Sequence, residues 1–115
     1  MKNERENALD KKFHALSNPT RREILMRLSQ KPHSAGEIAG YFQITPASIS
    51  YHLSLLQRSG LICCRQVEKR RIYSINRGSL DEVYLWLMVY IMLSQISDCK
   101  LFEQKLGGGG KLGNL

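Results

Sequence analysis

Apolar residues recur every three or four positions in the first half of the chain, and breaks in this pattern separate four predicted helices. The first helix covers residues 4–16. The second begins at Asn18-Pro19, because asparagine is a favoured N-cap and proline suits the first helical position. It ends near Gln30, since Lys31-Pro32 interrupts the helical pattern.

The third and fourth predicted helices lie close together in sequence. A capping box at Ser34–Glu37 opens a short third helix, and Thr45-Pro46 opens a fourth that runs to about Ser59 before Gly60. Two helices joined by so short a turn form a helix-turn-helix, over about residues 34–59.

Two β-rich segments follow the fourth helix directly. Residues 61–67 and 70–76 flank Glu68-Lys69, and the second segment alternates two faces with the period of a strand. We interpret them as a hairpin, the wing, over about residues 61–76. The predicted fold is therefore mainly α-helical with a small β-hairpin: a winged helix-turn-helix of four helices, two strands and a fifth helix.

The fifth predicted helix is apolar on every side of its first half. A capping box at Ser79–Glu82 opens a helix over about residues 79–105, and Val83–Leu93 is an unbroken apolar run. The apolar surface of such a helix must be buried on all sides, and a second copy of the chain is the simplest way to bury it. Wrapping by its own domain and docking of a different protein are the alternatives. On this helix, the predicted dimer interface comprises Tyr84, Leu87, Met88, Ile91 and Met92.

Chain length and tail composition set the predicted domain organisation. The chain has 115 residues, the size of one domain. We assign residues 1–106 to one DNA-binding and dimerisation domain and residues 107–115 to a flexible glycine-rich tail.

Net charge points to an anionic partner. The chain carries 17 Lys and Arg against 10 Asp and Glu, a formal charge of +7. Residues 58–77 alone hold six basic and one acidic side chain, so the excess surrounds the predicted hairpin. Nucleic acid and an acidic membrane surface both fit such a charge.

Cysteine content and hydropathy predict a soluble cytoplasmic protein. Three cysteines are too few for a disulfide scaffold and suit a reducing compartment. The charged first 18 residues predict no signal peptide. The longest apolar run has 11 residues, against about 20 for a membrane span.

The fourth helix has the pattern of a recognition helix that lies in the major groove of DNA. At 100° per residue, Ile49, Leu53 and Leu56 face inward. His52 lies at the edge of this face, so a core hydrogen bond and a DNA contact both stay open. The outer face and the wing carry small, hydroxyl and basic side chains, which can contact bases and phosphates. The predicted DNA-binding residues are Thr45, Pro46, Ala47, Ser48, Ser50, Tyr51, His52, Arg58, Lys69, Arg70 and Arg71.

Several segments together resemble the ArsR-type winged-helix repressors. They are Ala15–Arg22, Ser50–Leu53, Gly60–Ile62 and Tyr73–Asn76, within a resemblance over roughly residues 8–90. The resemblance implies a prokaryotic homodimeric repressor that binds an inverted-repeat operator, often that of its own promoter. It also implies a dimer formed by the first and last helices, which adds Leu9 and Phe13 of the first helix to the predicted interface.

Ligands of the family's metal sensors are missing from their usual positions. No Cys-x-Cys occurs in residues 34–42, and all three histidines lie outside the last helix. We therefore predict no metal and no cofactor. The resemblance then favours the metal-independent members of the family, which repress toxin–immunity operons and whose repression is relieved by a membrane-bound partner. A metal- or thiol-responsive sensor using Cys63, Cys64 or Cys99 is the alternative.

Catalytic motifs are absent from the sequence. It contains no glycine-rich phosphate loop, nucleophile elbow, HExxH or Cys-x-x-Cys. We therefore predict no enzymatic activity, no catalytic residue and no small-molecule substrate.

Overall fold

A computed structural model describes the backbone of residues 4–106 and the side chains of residues 7–96. The predicted tail at residues 107–115 and the side chain of Cys99 lie outside these ranges. The elements in chain order are α1 (Glu4–Leu16), α2 (Pro19–Gln30), β1 (His33–Ser34), α3 (Ala35–Ala39), α4 (Pro46–Arg58), β2 (Ile62–Val67), β3 (Arg70–Ile75) and α5 (Arg77–Leu106). The chain divides into two units between Leu80 and Asp81.

The core of the first unit is built from the apolar faces of its helices and from the start of β2. Ile24, Ile38, Leu56, Leu61 and Ile62 are its largest fully buried side chains. Burying one such side chain contributes about 1.5–3 kcal/mol. The inward face predicted for the fourth helix is confirmed, because Ile49 and Leu53 are buried alongside Leu56.

Local capping signals fix where α2 and α3 begin. The Asn18 Oδ1 accepts hydrogen bonds from the backbone N–H of Thr20, at 2.8 Å, and of Arg21, at 3.2 Å. The Ser34 Oγ accepts from the Glu37 N–H at 3.1 Å, and the Glu37 Oε1 accepts from the Ser34 N–H at 2.8 Å. The predicted N-cap and the first predicted capping box are therefore confirmed.

Glycine ends the recognition helix as predicted. Gly60 has φ +86°, a left-handed conformation that glycine adopts without a steric penalty. A Cβ at this position would lie 3.2 Å from the Ser79 Oγ. The chain therefore turns sharply from α4 into β2.

The sheet has three strands rather than the two of the predicted hairpin. The two-residue strand β1 pairs antiparallel with β3, with His33 opposite Tyr73, and the strand order is β1-β3-β2. Two residues are too few to show a period-2 pattern, so the sequence gives no signal for β1. Hydrogen bonds to β3, which is distant in sequence, create this strand.

One predicted helix boundary is wrong. The fifth helix begins at Arg77 rather than at the second predicted capping box. The short third helix ends at Ala39, where the following turn closes with i→i+3 bonds such as Tyr41 N–H to Ile38 O.

Asn76 replaces Ser79 at the start of α5. The Asn76 carbonyl accepts from the N–H groups of Ser79 and Leu80, at 3.2 and 3.3 Å. The Asn76 side chain also donates to the Gly60 carbonyl at 2.9 Å. This bond joins residues 16 positions apart, so local sequence does not indicate it.

Candidate nucleic-acid interface

The outer face of α4 is exposed and carries most of the predicted base-reading residues. Tyr51 is 55% exposed, and Ala47, Ser50, Ser54 and Arg58 are exposed on the same helix. Thr45 and Pro46 at its start are exposed as well, and Ser48 is half-buried. The helix therefore presents small side chains, hydroxyls and one aromatic ring, which can approach the base edges of a major groove closely.

Thr45 fixes the beginning of α4. Its Oγ1 accepts from the Ser48 N–H at 3.1 Å, and its hydroxyl donates to the Ser48 Oγ at 2.9 Å. The Thr45 hydroxyl therefore caps the helix, and the Ser48 hydroxyl accepts a hydrogen bond from it in this structure. The sequence predicted DNA contacts for these two residues, and those contacts stay a prediction.

A buried arginine joins α1, α2 and α4. Arg21 is only 5% exposed. Its Nε donates to the Ala15 carbonyl at 2.9 Å, its Nη2 to the His14 carbonyl at 3.1 Å, and its Nη1 to the His52 Nδ1 at 3.1 Å. A cation at a helix C-terminus is favourable because the last carbonyls carry partial negative charge. Arg21 therefore holds the recognition helix against the end of α1.

Sequence reasoning missed this role of Arg21, although the sequence contains a signal for it. Arg21 lies on the same face of α2 as the buried residues Ile24, Leu25 and Leu28, at i, i+3, i+4 and i+7. A charged residue on an apolar face needs a buried partner. Arg21 bonds to the His14 and Ala15 carbonyls and to the half-buried His52, which is 31 residues away in the sequence.

The contact with Arg21 fixes the proton position on His52. An arginine only donates hydrogen bonds, so the His52 Nδ1 accepts and the neutral ring carries its proton on Nε2. Burial, followed by the nearby Arg21 charge, lowers the pKa of His52 below the usual 6.5. The sequence left a core hydrogen bond and a DNA contact open for His52. The structure shows the hydrogen bond, and the DNA contact stays a prediction.

Acidification is expected to destabilise the protein through His52. The unfolded chain takes up this proton near pH 6.5, whereas the folded protein resists protonation until a lower pH. The stability from His52 is therefore fully present above pH 6.5 and is lost as the pH falls through the folded pKa. Urea unfolding between about pH 7.5 and about pH 5 measures this slope.

Two histidine variants separate this contribution from other titrating groups. His52→Asn keeps an acceptor oxygen for Arg21 and should flatten the slope, while His14→Gln changes an exposed histidine and should leave it unaltered. An unchanged slope in His52→Asn contradicts the assignment.

Three consecutive basic side chains are exposed at the tip of the wing. Lys69, Arg70 and Arg71 follow Glu68, whose φ of +56° turns the chain between β2 and β3. The Arg70 Nη2 lies 3.6 Å from the Glu37 Oε1 at the start of α3. This cluster supplies the positive charge that binding to a DNA backbone needs.

A groove of about 510 Å³ separates the recognition helix from the wing. Ser50, Ser54 and Gln57 of α4 line one wall, and Arg71 and Tyr73 of β3 line the other. Sequence reasoning included Ser50 and Arg71 among the site residues but not Ser54 or Gln57. The structure places all four side chains around one groove, next to the exposed face of α4.

Known proteins of similar sequence and fold decide the family. Residues 18–63 match the arsR family of bacterial regulatory proteins. The transcriptional repressor SdpR of Bacillus subtilis is 37% identical over 79 residues, which are 69% of this chain and 88% of that protein. The chain belongs to the ArsR family. It is a DNA-binding transcriptional regulator, and the resemblance found in the sequence is confirmed.

Solved structures confirm the winged helix-turn-helix fold of this ArsR-family regulator. The crystal structure of an ArsR family transcriptional regulator superposes with a TM-score of 0.73 and 32% identity, over 83% of this chain and 97% of that one. A solution structure of a homodimeric winged helix-turn-helix domain from Mycobacterium bovis gives a TM-score of 0.62. That domain is 21% identical, covers 82% of this chain and 93% of its own, and shows the fold alone.

Apolar side chains of α5 in this ArsR-family regulator are exposed in the single chain. Tyr84, Leu87, Ile91 and Met92 are between 43 and 59% exposed, and Met88 is half-buried. On α1, the predicted interface residues Leu9 and Phe13 are half-buried. Within residues 4–106, no helix is both long enough and apolar enough to span a membrane.

The adjacent cysteines lie on β2 of the regulator. Cys63 is opposite Ser74 and Cys64 opposite Tyr73, so the two side chains point to opposite faces of the sheet. Burial, with a smaller contribution from Cys64, raises the pKa of Tyr73 above its usual 10.0. Among the described side chains, no three His, Cys, Asp or Glu residues converge on a possible metal position. The described side chains therefore do not favour metal sensing, and the Cys99 side chain lies outside them.

Proposed function

We propose that this protein represses transcription by binding, as a homodimer, to an inverted-repeat operator of its own or an adjacent operon. The observation that carries the proposal is the exposed face of α4 beside a basic wing in one folded unit. The similarity to SdpR, which is named a transcriptional repressor, supports repression as the outcome of binding. Occupation of a promoter by the dimer would block transcription there.

Each part of the first unit has a separate task in this proposal. Ser50 and Tyr51 read base edges from the N-terminal half of α4, where a docked recognition helix approaches the bases most closely. Arg58, Lys69, Arg70 and Arg71 contact phosphates, which position the protein without reading the sequence. Base contacts therefore give specificity, and the wing adds affinity.

The homodimer rests on the exposed apolar side chains of α5. Val89, Tyr90, Ile91, Met92 and Leu93 are each more than half exposed, which is unfavourable in water for so long a run. An ordinary dimer buries about 800 Å² on each partner. The exposed apolar side chains of α5 can contribute to an interface of this type. The homodimeric structural neighbour supports the proposal that a second copy of this chain buries the apolar surface of α5.

Selection of bound sites from random duplex DNA tests the proposed function. We expect two inverted half-sites whose centres lie about 10 base pairs, or a multiple of this, apart. With six to ten phosphate contacts, affinity should fall by about 10³–10⁵ between about 50 and about 200 mM salt. A single half-site, or no enriched sequence, contradicts the proposal. A membrane-bound or other protein inducer stays a prediction from the resemblance.

A further inference from the structure

The Glu37 carboxylate of α3 lies beside the basic side chains of the wing tip. A groove of about 610 Å³ is lined by Lys69, Arg70 and Arg71 on one side and by residues 34–37 on the other. The Glu37 Oε1 is 3.6 Å from the Arg70 Nη2, and both side chains are exposed. A phosphate that approaches Arg70 through this groove therefore meets a negative charge at the same place.

The capping box fixes the position of this carboxylate. The same Oε1 accepts from the Ser34 N–H at 2.8 Å, so the side chain is already ordered before Arg70 contacts it. The hydrogen bonds from Ser34, followed by the charge of Arg70, lower the pKa of Glu37 below its usual 4.5. Glu37 is therefore negatively charged at neutral pH.

We propose that Glu37 is a counter-charge that limits the sequence-independent affinity of the wing for DNA. Its carboxylate neutralises Arg70 and repels phosphate, so Arg70 contributes less to backbone binding than Lys69 or Arg71. The inference rests on the proposed function, because it assumes that the wing lies on the DNA backbone.

The counter-charge weakens both kinds of DNA binding by the same factor. Affinity for random duplex comes almost wholly from phosphate contacts and counterion release. Operator affinity also includes the base contacts of α4, which Glu37 on α3 leaves unchanged. One phosphate contact contributes the same free energy to both complexes, so Glu37 lowers both affinities and leaves their ratio nearly unchanged.

Glu37→Gln tests the proposal with little risk to the fold. Glutamine is also a capping-box residue, and its side-chain oxygen can accept from the Ser34 N–H. We expect random-duplex affinity at about 100 mM salt to rise about three- to eightfold, and the salt slope to steepen by about 0.9, as for one added phosphate contact. Operator affinity should rise by about the same factor, so the ratio of operator to random-duplex affinity should stay nearly constant.

Glu23→Gln is the matched control. It removes the same charge and releases Arg27 from an i,i+4 ion pair of 3.3 Å on α2. We expect it to change random-duplex affinity less than about twofold, because it lies outside the wing groove. An equal rise in both variants means that only net charge matters, and overturns the proposal.

Arg70→Ala completes the test. Arg70→Ala should change random-duplex affinity little in the wild-type protein, but should abolish the gain in Glu37→Gln. An unchanged or lower affinity in Glu37→Gln, or a gain that survives Arg70→Ala, overturns the role of Glu37. A wild-type protein without salt-dependent DNA binding contradicts the proposed function instead.

Discussion

Glutamate at Leu87 and Ile91 is expected to convert the protein from a dimer to a monomer and to lower operator affinity at least about 100-fold. The two positions are one helical turn apart on α5 and are 43 and 51% exposed in the single chain. Two buried carboxylates without partners would cost the proposed interface several kcal/mol. Loss of the dimer removes the gain from joining two half-site contacts, which is about 10²–10⁴-fold.

Sedimentation equilibrium and operator titration measure these effects together. Met26→Glu is the matched control, since Met26 is a 49% exposed apolar residue on α2, outside the predicted interface. It should remain dimeric and bind the operator normally. A Leu87→Glu/Ile91→Glu protein that stays dimeric places the interface elsewhere. A wild-type monomer that captures a different protein through α5 supports the heterologous alternative.

Tyr51→Ala is expected to lower operator affinity about 10- to 100-fold and to leave random-duplex affinity within about twofold. The side chain is 55% exposed on the outer face of α4, and a lost base contact costs about 1–3 kcal/mol. The ring also contacts His52 edge-on, with centroids 5.6 Å apart. Titration of operator and random duplex at one salt concentration measures the ratio.

Two further variants identify the type of contact. Tyr51→Phe keeps the ring and its packing on His52, so its affinity tells whether the hydroxyl or the ring contacts DNA. Lys69→Ala should weaken both duplexes about equally and reduce the salt slope by about one, as expected for a phosphate contact. Equal loss on both duplexes in Tyr51→Ala would show that Tyr51 contacts the backbone instead of a base.

Much of the fold follows from short-range signals in the sequence. Asn18 and Ser34 cap their helices with backbone groups two or three residues away, and Gly60 ends α4 through its own φ angle. The period of apolar positions places Ile49 and Leu53 inward and Tyr51 outward. Each signal depends on neighbours within a few residues, so sequence reasoning finds it reliably.

The errors occur where a distant partner decides the local structure. Ser79 looks like an N-cap, but the α5 start is set by Asn76, whose side chain reaches the Gly60 carbonyl. Strand β1 forms only because β3 lies beside it. Neither partner can be identified from the residues next to these positions.

The sequence by itself determined the order of the five helices and the two wing strands, the outer face of the recognition helix, the basic wing and an apolar last helix that needs a partner surface. Only the tertiary structure decided that Arg21 bonds to His52 and that Glu37 lies beside Arg70. Helical periodicity and caps act over one or two turns, where chain connectivity fixes which groups meet. Contacts between residues more than 30 positions apart depend on how the elements pack, and packing is a property of the whole core.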